Sequence, residues 1–268
     1  MVEVIVITSG KGGVGKTTST AALGAALAKT GKNVVVVDFD VGLRNLDLVM
    51  GVERRVVFDL INVIQGDAKL SQALIRYPKC ETLSILPASQ TKDKDNLTLE
   101  GIAKVIEELS KSFDYILCDS PAGIENGAQH AMYFADKAVI VTNPEVSSIR
   151  DSDRIIGLLD SKTKKVADGG RVQKYLLVTR FDPVRAAREE MLKVEEVEEF
   201  LSIPLIGVIP ESKFILEASN KGEPVTIYAP NSPPGQAYHD AGRRLQGEDL
   251  ELVVPSGKRG VLGFLFGR

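Results

Sequence analysis

The chain has 268 residues, which is enough for one large α/β domain, although length alone also permits two. A net charge of −3 argues against a broadly basic nucleic-acid binder, while 44% hydrophobic and 26% charged residues are typical of a soluble globular protein. Two cysteines, Cys80 and Cys118, are too few for a disulfide framework or a metal site, and the sequence predicts neither a signal peptide nor a membrane span.

Strand-like and helix-like segments alternate along the chain. Apolar runs predict strands at residues 2–8, 34–38, 82–86, 114–118, 138–142, 175–179 and 205–209. Helical patterns fall between them at about 16–30, 97–111, 148–160, 187–201 and 213–220, and the two prolines of 231–235 predict a loop. Continuously apolar runs such as 34–37 are typical of parallel strands that are covered on both faces. We therefore predict an α/β fold, a single doubly wound and mostly parallel sheet with helices on both faces.

A glycine-rich segment separates the first predicted strand from the first predicted helix. Gly10 and Gly15 bracket four residues, so the P-loop pattern G-x-x-x-x-G-K-[ST] is met in full. Backbone N–H groups and the helix start would cradle phosphates, Lys16 would hold the β- and γ-phosphates, and Thr17 would bind Mg²⁺. The expected phosphate-binding residues are Gly10, Lys11, Gly12, Gly13, Val14, Gly15, Lys16, Thr17 and Thr18. The alternative is a strand-to-helix turn that binds nothing.

Two aspartates follow predicted strands at the edge where nucleotide sites form. Asp40 comes just after the 34–38 strand, and Asp119 closes the 114–118 strand. Taken alone, each aspartate is more often a helix cap or a turn residue. Beside a P-loop, however, carboxylate oxygens suit Mg²⁺. We expect a metal site formed by Thr17, Asp40 and Asp119.

Several stretches together resemble the ParA/MinD family of deviant Walker A P-loop ATPases. They are the Lys11-containing loop and residues 38–47, 53–57, 63–67, 86–91, 118–125 and 142–154, and the resemblance runs from residue 2 to about 228. It implies that the cofactors are ATP and Mg²⁺ and that hydrolysis works as a switch. It also implies that Lys11 reaches across an ATP-bound homodimer to the partner's phosphates, while Asp40 positions the attacking water. The expected catalytic residues are Lys11, Lys16, Asp40 and Asp119.

The resemblance extends to members of the family that position the division septum. It implies a MinC-like division inhibitor and a MinE-like activator as partners, and a place in the cytoplasm and on the cytoplasmic face of the cell membrane. Asn45 is expected near the dimer interface, and Arg180, Pro210 and Glu211 beside adenine, although strand-end Arg and Pro are also common loop residues. Asp151, Asp153 and Arg154 read as a solvated helix face from sequence alone, but the resemblance assigns them to a partner protein.

The last dozen residues form a basic and apolar segment. Lys258 and Arg259 precede five bulky apolar residues, which would cover a little over half of a helical wheel: Val261, Leu262, Phe264, Leu265 and Phe266. This pattern predicts a helix that an anionic membrane surface induces. The alternatives are a tail docked on the protein itself or disorder. We expect an ATPase domain at 1–250 and a linker with this amphipathic segment at 251–268.

Three other functions deserve comparison. A ParA-like DNA partition ATPase would carry a basic face and no apolar tail, which the charge and the terminus oppose. An electron-donating iron protein needs a cysteine pair that bridges a cluster, but Cys118 is predicted inside a strand and Cys80 just before another. A P-loop ligase that activates a small carboxylate needs a substrate pocket, which the sequence neither identifies nor excludes.

Overall fold

The computed structural model describes residues 2–92 and 96–256, and their core is an eight-stranded sheet. The strands are β1 (Glu3–Thr8), β2 (Val34–Asp38), β3 (Ile75–Arg76), β4 (Leu83–Leu86), β5 (Tyr115–Asp119), β6 (Lys137–Thr142), β7 (Gln173–Phe181) and β8 (Leu205–Pro210). They lie in the order β3-β4-β2-β5-β1-β6-β7-β8. Within the described residues, only the pairing of β3 with β4 is antiparallel. The predicted fold class is confirmed.

Helices cover both faces of this sheet. In the described ranges they are α1 (Lys16–Ala28), α2 (Leu46–Val49), α3 (Leu60–Gln65), α4 (Leu70–Ala73), α5 (Leu99–Leu109), α6 (Asn126–Met132), α7 (Val146–Leu159), α8 (Lys164–Ala167), α9 (Pro183–Ala187), α10 (Val194–Leu201), α11 (Lys213–Lys221), α12 (Val225–Tyr228) and α13 (Pro233–Leu245). A 3₁₀ turn spans Glu53–Arg55.

The apolar strands alternate their side chains between two separate cores. Val34 and Val36 of β2 belong to the cluster that α1 and α13 complete, whereas Val35 and Val37 belong to the cluster that α3 and α5 complete. All four valines are at most 1% exposed. Successive side chains of a strand point to opposite faces, so a strand covered on both faces must be apolar throughout. This is why the run at 34–37 does not alternate.

The register of the central strands brings the functional segments to one edge. Asp119 of β5 is paired with Ile7 of β1 on one side and with Asp38 of β2 on the other. The carboxyl ends of these three parallel strands therefore lie side by side. The glycine-rich loop after β1 and both acidic segments meet there, where open parallel sheets bind nucleotides.

Two predictions about local structure are wrong. The helix predicted at 187–201 begins only at Val194, as α10, because α9 already ends at Ala187 and Glu189 in the intervening turn has a φ of +59°. The loop predicted at 231–235 contains the start of α13. Proline is well tolerated at the first helical position, and the Ser232 hydroxyl accepts a hydrogen bond from the backbone N–H of Gly235 at 3.3 Å.

After α13 the chain continues as a linker. Residues 251–256 form neither helix nor strand. The predicted membrane residues Val261, Leu262, Phe264, Leu265 and Phe266 lie outside the described residues. Among the residues that are described, no helix has the length and apolar character needed to cross a membrane.

Candidate functional site

The glycine-rich loop forms the turn between β1 and α1. Gly13 and Gly15 have φ values of +78° and +94°, a left-handed conformation that side chains with a Cβ rarely adopt. These glycines let the chain turn sharply into α1, which begins at Lys16. The first N–H groups of a helix have no partner within the helix, and the positive end of its dipole attracts anions. The loop and the start of α1 together can therefore hold phosphate groups.

Gly10 is required by a close contact with α7. A Cβ atom built on Gly10 would lie 2.2 Å from the carbonyl oxygen of Asp151, closer than any real contact. The helix that carries Asp151, Asp153 and Arg154 therefore packs directly on the phosphate-binding loop. On the other side, the Thr179 hydroxyl donates to the carbonyl oxygen of Val14 at 2.7 Å.

Lys16 is buried at the base of the loop, with only 8% of the residue exposed. Its Nζ donates to the Ser9 hydroxyl at 2.9 Å. Burial lowers the pKa of the ammonium, while the negative charges of Asp119 and Asp40 act in the opposite direction. Ser9 also donates to the carbonyl oxygen of Lys11 at 2.8 Å, so it ties the lysine to the loop. The sequence did not single out Ser9; the only signal was its place at the end of an apolar strand.

Asp119 is held by hydroxyl groups of α1. Thr20 donates to Asp119 Oδ1 at 2.8 Å, and the Thr17 hydroxyl also donates to this carboxylate. Burial is the main cause that raises the pKa of Asp119, to about 6, against the lowering effects of Thr20, Thr17 and Lys16. Thr20 is not among the site residues that the sequence motifs predict. Its position one turn along α1 from Lys16 is the feature that could have indicated it.

Asp38 is a second fully buried carboxyl beside Asp119. Burial and the charge of Asp119 raise its pKa well above the usual range, although it accepts hydrogen bonds from the backbone N–H groups of Asp40 at 2.8 Å and Leu46 at 3.2 Å. Asp38 therefore fixes the loop that carries Asp40 and the start of α2. The sequence analysis assigned the metal role to Asp40 and gave none to Asp38. Only the register of β2 against β5 shows that Asp38 is the carboxyl next to Asp119.

The buried carboxyl of Asp119 predicts a pH dependence for the protein free of nucleotide and Mg²⁺. Because its pKa is raised from 3.8 to about 6 on folding, the folded chain holds this proton more tightly than the unfolded chain. Its contribution to the free energy of unfolding therefore decreases as the pH rises from about 4 to 6, by about 2 kcal/mol. We expect Asp119→Asn to unfold at higher temperature than the parent at pH 7.5 and to lose this advantage at pH 4.5.

Thermal unfolding at the two pH values, in buffer containing a chelator, measures this effect. The exposed carboxylate Asp67, changed to asparagine, serves as the control because it has no comparable burial. An Asp119→Asn effect that is equal at pH 4.5 and 7.5 would contradict the assignment of the shifted pKa.

Lys11 lies at the rim of the site and makes an ion pair within its own chain. Its Nζ is 3.0 Å from Glu145 Oε2 and 3.3 Å from the Ser147 hydroxyl, at the start of α7. The lysine and glutamate side chains are 42% and 52% exposed. Ion pairs of such exposure contribute only about 0–1 kcal/mol. The lysine can therefore leave Glu145 at little cost.

The remaining predicted site residues surround this centre. Asn45 precedes α2 and is exposed, and Asp153 and Arg154 are exposed on α7. Arg180 and Pro210 lie at the carboxyl ends of the neighbouring strands β7 and β8, and the Glu211 N–H donates to the Phe181 carbonyl oxygen at 3.0 Å. The fold thus brings Arg180, Pro210 and Glu211 together at the carboxyl ends of β7 and β8.

The residues at this site suit Mg²⁺ bound together with a nucleotide. Within the described ranges, no group of three or more His, Cys, Asp or Glu side chains forms a metal cage. Mg²⁺ typically takes one or two protein oxygens and completes its shell with phosphates and water. Thr17 and Asp119 offer such oxygens beside the phosphate-binding loop. Cys118, next to Asp119, does not compete as a ligand, because it is fully buried and burial raises the pKa of its thiol to about 12.

Comparisons with known proteins agree with this geometry. The family model of the CobQ/CobB/MinD/ParA nucleotide binding domain matches residues 5–225. The septum site-determining protein MinD of Neisseria meningitidis is 57% identical to this chain over 271 residues, covering 100% of both. The solved MinC:MinD cell division protein complex of Aquifex aeolicus has a TM-score of 0.84 at 45% identity, covering 94% of this chain and 99% of that one. MinD of Pyrococcus horikoshii, solved with Mg-ADP, has a TM-score of 0.80 at 34% identity, covering 91% and 96%.

Proposed function

The chain belongs to the CobQ/CobB/MinD/ParA family of nucleotide-binding proteins, and from this premise we propose that it is an ATP-driven switch that positions the division septum. It binds ATP with Mg²⁺, forms a homodimer, attaches to the membrane and recruits a MinC-like division inhibitor. A MinE-like activator stimulates hydrolysis and releases it. The observation that carries this proposal is the complete phosphate-binding loop, with buried Lys16 at its base and exposed Lys11 at its rim.

The chemistry follows from the placement of the charges. Mg²⁺ supplies positive charge to the phosphates and orients them. Lys16 neutralises phosphate oxygens from a buried position, where the low dielectric strengthens the attraction. Thr17, Asp40 and Asp119 would hold the metal, and Asp40, on the loop fixed by Asp38, would also position the water that attacks. Positive charge aimed at the transferring phosphoryl group stabilises the transition state.

Dimer formation completes the site through Lys11. In the single chain this lysine is paired with Glu145 in cis, a contact that is weak at its exposure. A partner's phosphates carry more negative charge than one carboxylate and are better desolvated in an interface. Lys11 therefore exchanges Glu145 for those phosphates, and hydrolysis becomes linked to dimerisation. Asn45, exposed next to the Asp40 loop, lies on the same side and contributes to the interface.

Partner proteins have a direct route to the nucleotide through α7. The Aquifex aeolicus relative is solved as a complex with MinC, which supports a MinC-like inhibitor as a partner of this chain. Asp153 and Arg154 are exposed on α7, and the Asp151 carbonyl contacts the Gly10 position. A protein bound to this face of α7 can therefore influence the conformation of the phosphate-binding loop. Arg180, Pro210 and Glu211 are proposed to line the adenine pocket.

Membrane attachment depends on the segment 251–268, as a unit separate from the ATPase domain at 1–250. Five bulky apolar side chains give a gross gain of about 10 kcal/mol if buried, and ordering about eight residues removes most of it. One copy therefore binds lipid weakly. Two copies on a dimer gain about 10²- to 10⁴-fold through avidity. ATP-dependent dimerisation thus moves the protein between the cytoplasm and the cytoplasmic face of the membrane.

Deleting residues 261–268 is expected to abolish ATP-dependent sedimentation with phosphatidylglycerol-containing vesicles and to leave ATP affinity unchanged. The reason is that the apolar side chains are lost while the phosphate-binding loop is untouched. Co-sedimentation with ATP, with ADP as the control, measures the effect. Retained sedimentation of the shortened chain would show that another surface binds the membrane.

The DNA-partition alternative is weaker. The net charge of −3 provides no broad electrostatic attraction to phosphates of DNA. A salt-dependent DNA mobility shift at physiological ionic strength would favour it over the membrane switch.

A further inference from the structure

Arg244, near the end of α13, binds three backbone carbonyl oxygens. Its NH1 donates to Ile206 of β8 at 2.8 Å, its Nε to Leu250 at 3.1 Å and its NH2 to Glu251 at 2.5 Å. Ile206 belongs to the edge strand of the sheet, whereas Leu250 and Glu251 belong to the linker that follows α13. One guanidinium group thus joins the edge of the fold to the start of the linker.

The rest of the linker has few other attachments. The described segment 249–256 makes no backbone–backbone hydrogen bond. Val253 is 70% exposed, whereas Leu252 and Pro255 are partly buried, and a cavity of about 210 Å³ lies between the linker, β8 and α13. The two hydrogen bonds from Arg244 to the Leu250 and Glu251 carbonyl oxygens are therefore the principal polar attachment of the described part of the linker. A planar guanidinium with five donors suits this task better than a lysine ammonium.

We infer that Arg244 is a positioning residue for membrane attachment, because it fixes the point at which the tether to the terminal segment begins. The inference rests on the proposed function. With Arg244 in place, the tether before Val261 begins after Glu251 and contains nine residues, 252–260. Without it, the tether begins after Glu248, which backbone hydrogen bonds and Arg243 still hold to α13, and contains twelve residues, 249–260. Effective concentration falls roughly as the −3/2 power of tether length, so the longer tether weakens bivalent attachment about 1.5-fold.

The first test measures the attachment itself in the full-length chain. A glutamate-specific protease cuts after Glu251, whose own carbonyl oxygen accepts from Arg244. Hydrogen bonds with a charged donor are among the stronger ones, so their loss opens the segment more often. We expect Arg244→Ala to be cut at this bond about 10-fold faster or more. Arg244→Lys keeps the positive charge but loses the planar set of N–H donors. Its cleavage rate is expected to lie between those of Arg244→Ala and the parent.

Arg243→Ala is the matched control, because it removes the same charge from the adjacent position of the same helix. Arg243 is bound to Glu248 through its Nε at 2.9 Å and its NH2 at 2.6 Å and makes no contact with Leu250 or Glu251. Its cleavage rate after Glu251 is expected to match the parent. Equal rates for Arg244→Ala and Arg243→Ala would overturn the inference.

The second test measures attachment to phosphatidylglycerol-containing vesicles in the presence of ATP. Arg244→Ala is expected to bind about 1.5-fold more weakly than Arg243→Ala, with ATP affinity unchanged. A separate variant keeps Arg244 and inserts three Gly and Ser residues after Ser256. It is expected to show the same loss of about 1.5-fold while the Glu251 bond stays protected, so it reports on tether length even if Arg244→Ala is less stable.

The outcomes separate the two proposals. Faster cleavage of Arg244→Ala with unchanged vesicle affinity would overturn the positioning role. If the parent chain itself does not sediment with vesicles in ATP, the proposed membrane switch fails. The cleavage rates are measured without vesicles, so they still show whether Arg244 holds the linker.

Discussion

Replacing Lys16 with alanine is expected to lower the affinity for Mg²⁺–ATP by about 100- to 4,000-fold. Removing one partner from a buried, charged contact costs about 3–5 kcal/mol, and each 1.4 kcal/mol changes a binding constant tenfold. Lys16 is the buried cation at the base of the phosphate-binding loop, and Asp119 and Asp40 lie close enough to influence its pKa. Without it, the triphosphate would face these carboxylates without the buried positive charge at the base of the loop.

Calorimetric titration with ATP and Mg²⁺ measures this loss, and vesicle co-sedimentation should disappear with it. Lys104→Ala is the control, since Lys104 is 74% exposed on α5 and is paired only with Glu100 on the same helix. An affinity within threefold of the parent would contradict the role assigned to Lys16. Loss of vesicle binding with normal ATP affinity would place the defect in dimerisation and not in phosphate binding.

Replacing Asp40 with alanine is expected to reduce the rate of ATP hydrolysis by about 100-fold or more while ATP still binds. Positioning or activating the attacking water by a side chain contributes about 10²- to 10⁴-fold. Asp40 is partly exposed, and its own N–H is held by Asp38 Oδ1 at 2.8 Å, so the loop keeps its shape when the side chain is removed. The variant should therefore accumulate as an ATP-bound dimer.

Phosphate release and size-exclusion chromatography in ATP measure the two halves of this expectation. Asp168→Ala, at an exposed carboxylate beside α8, is the control for loss of one negative charge. Turnover equal to the parent would refute the water-positioning role. A variant that no longer binds ATP would show that Asp40 acts in nucleotide binding instead.

The sequence predicted the sheet well because its signal is local. The continuously apolar run at 34–37 must be covered on two faces, and the structure places its valines alternately in two cores. The segments that failed are those where local signals conflict. Pro233 and Pro234 predict a loop, yet Pro233 is the first residue of α13, which Ser232 caps. Glu189, inside the helix predicted at 187–201, has a left-handed conformation. Glutamate favours helices, so the sequence gives no sign of this turn.

The candidate site likewise has a part that the sequence predicts and a part that depends on long-range contacts. The spacing of Gly10, Gly15, Lys16 and Thr17 is a sequence property, because the loop and the start of α1 are contiguous. The supporting contacts are not contiguous. Thr20 reaches Asp119 across 99 positions of sequence, and Lys11 meets Glu145 across 134. Arg244 joins β8 to the linker through backbone carbonyls, which carry no sequence pattern at all.

The phosphate-binding loop and the doubly wound sheet can be predicted from the sequence, because both arise from short segments whose residues are neighbours. Three features become visible only in the folded chain: the carboxyl that lies next to Asp119, the partner of Lys11 in the single chain and the attachment of the linker. These depend on strand register, burial and long-range packing. Burial also sets the raised pKa values of Asp38 and Asp119, since desolvation of a charge depends on everything packed around it.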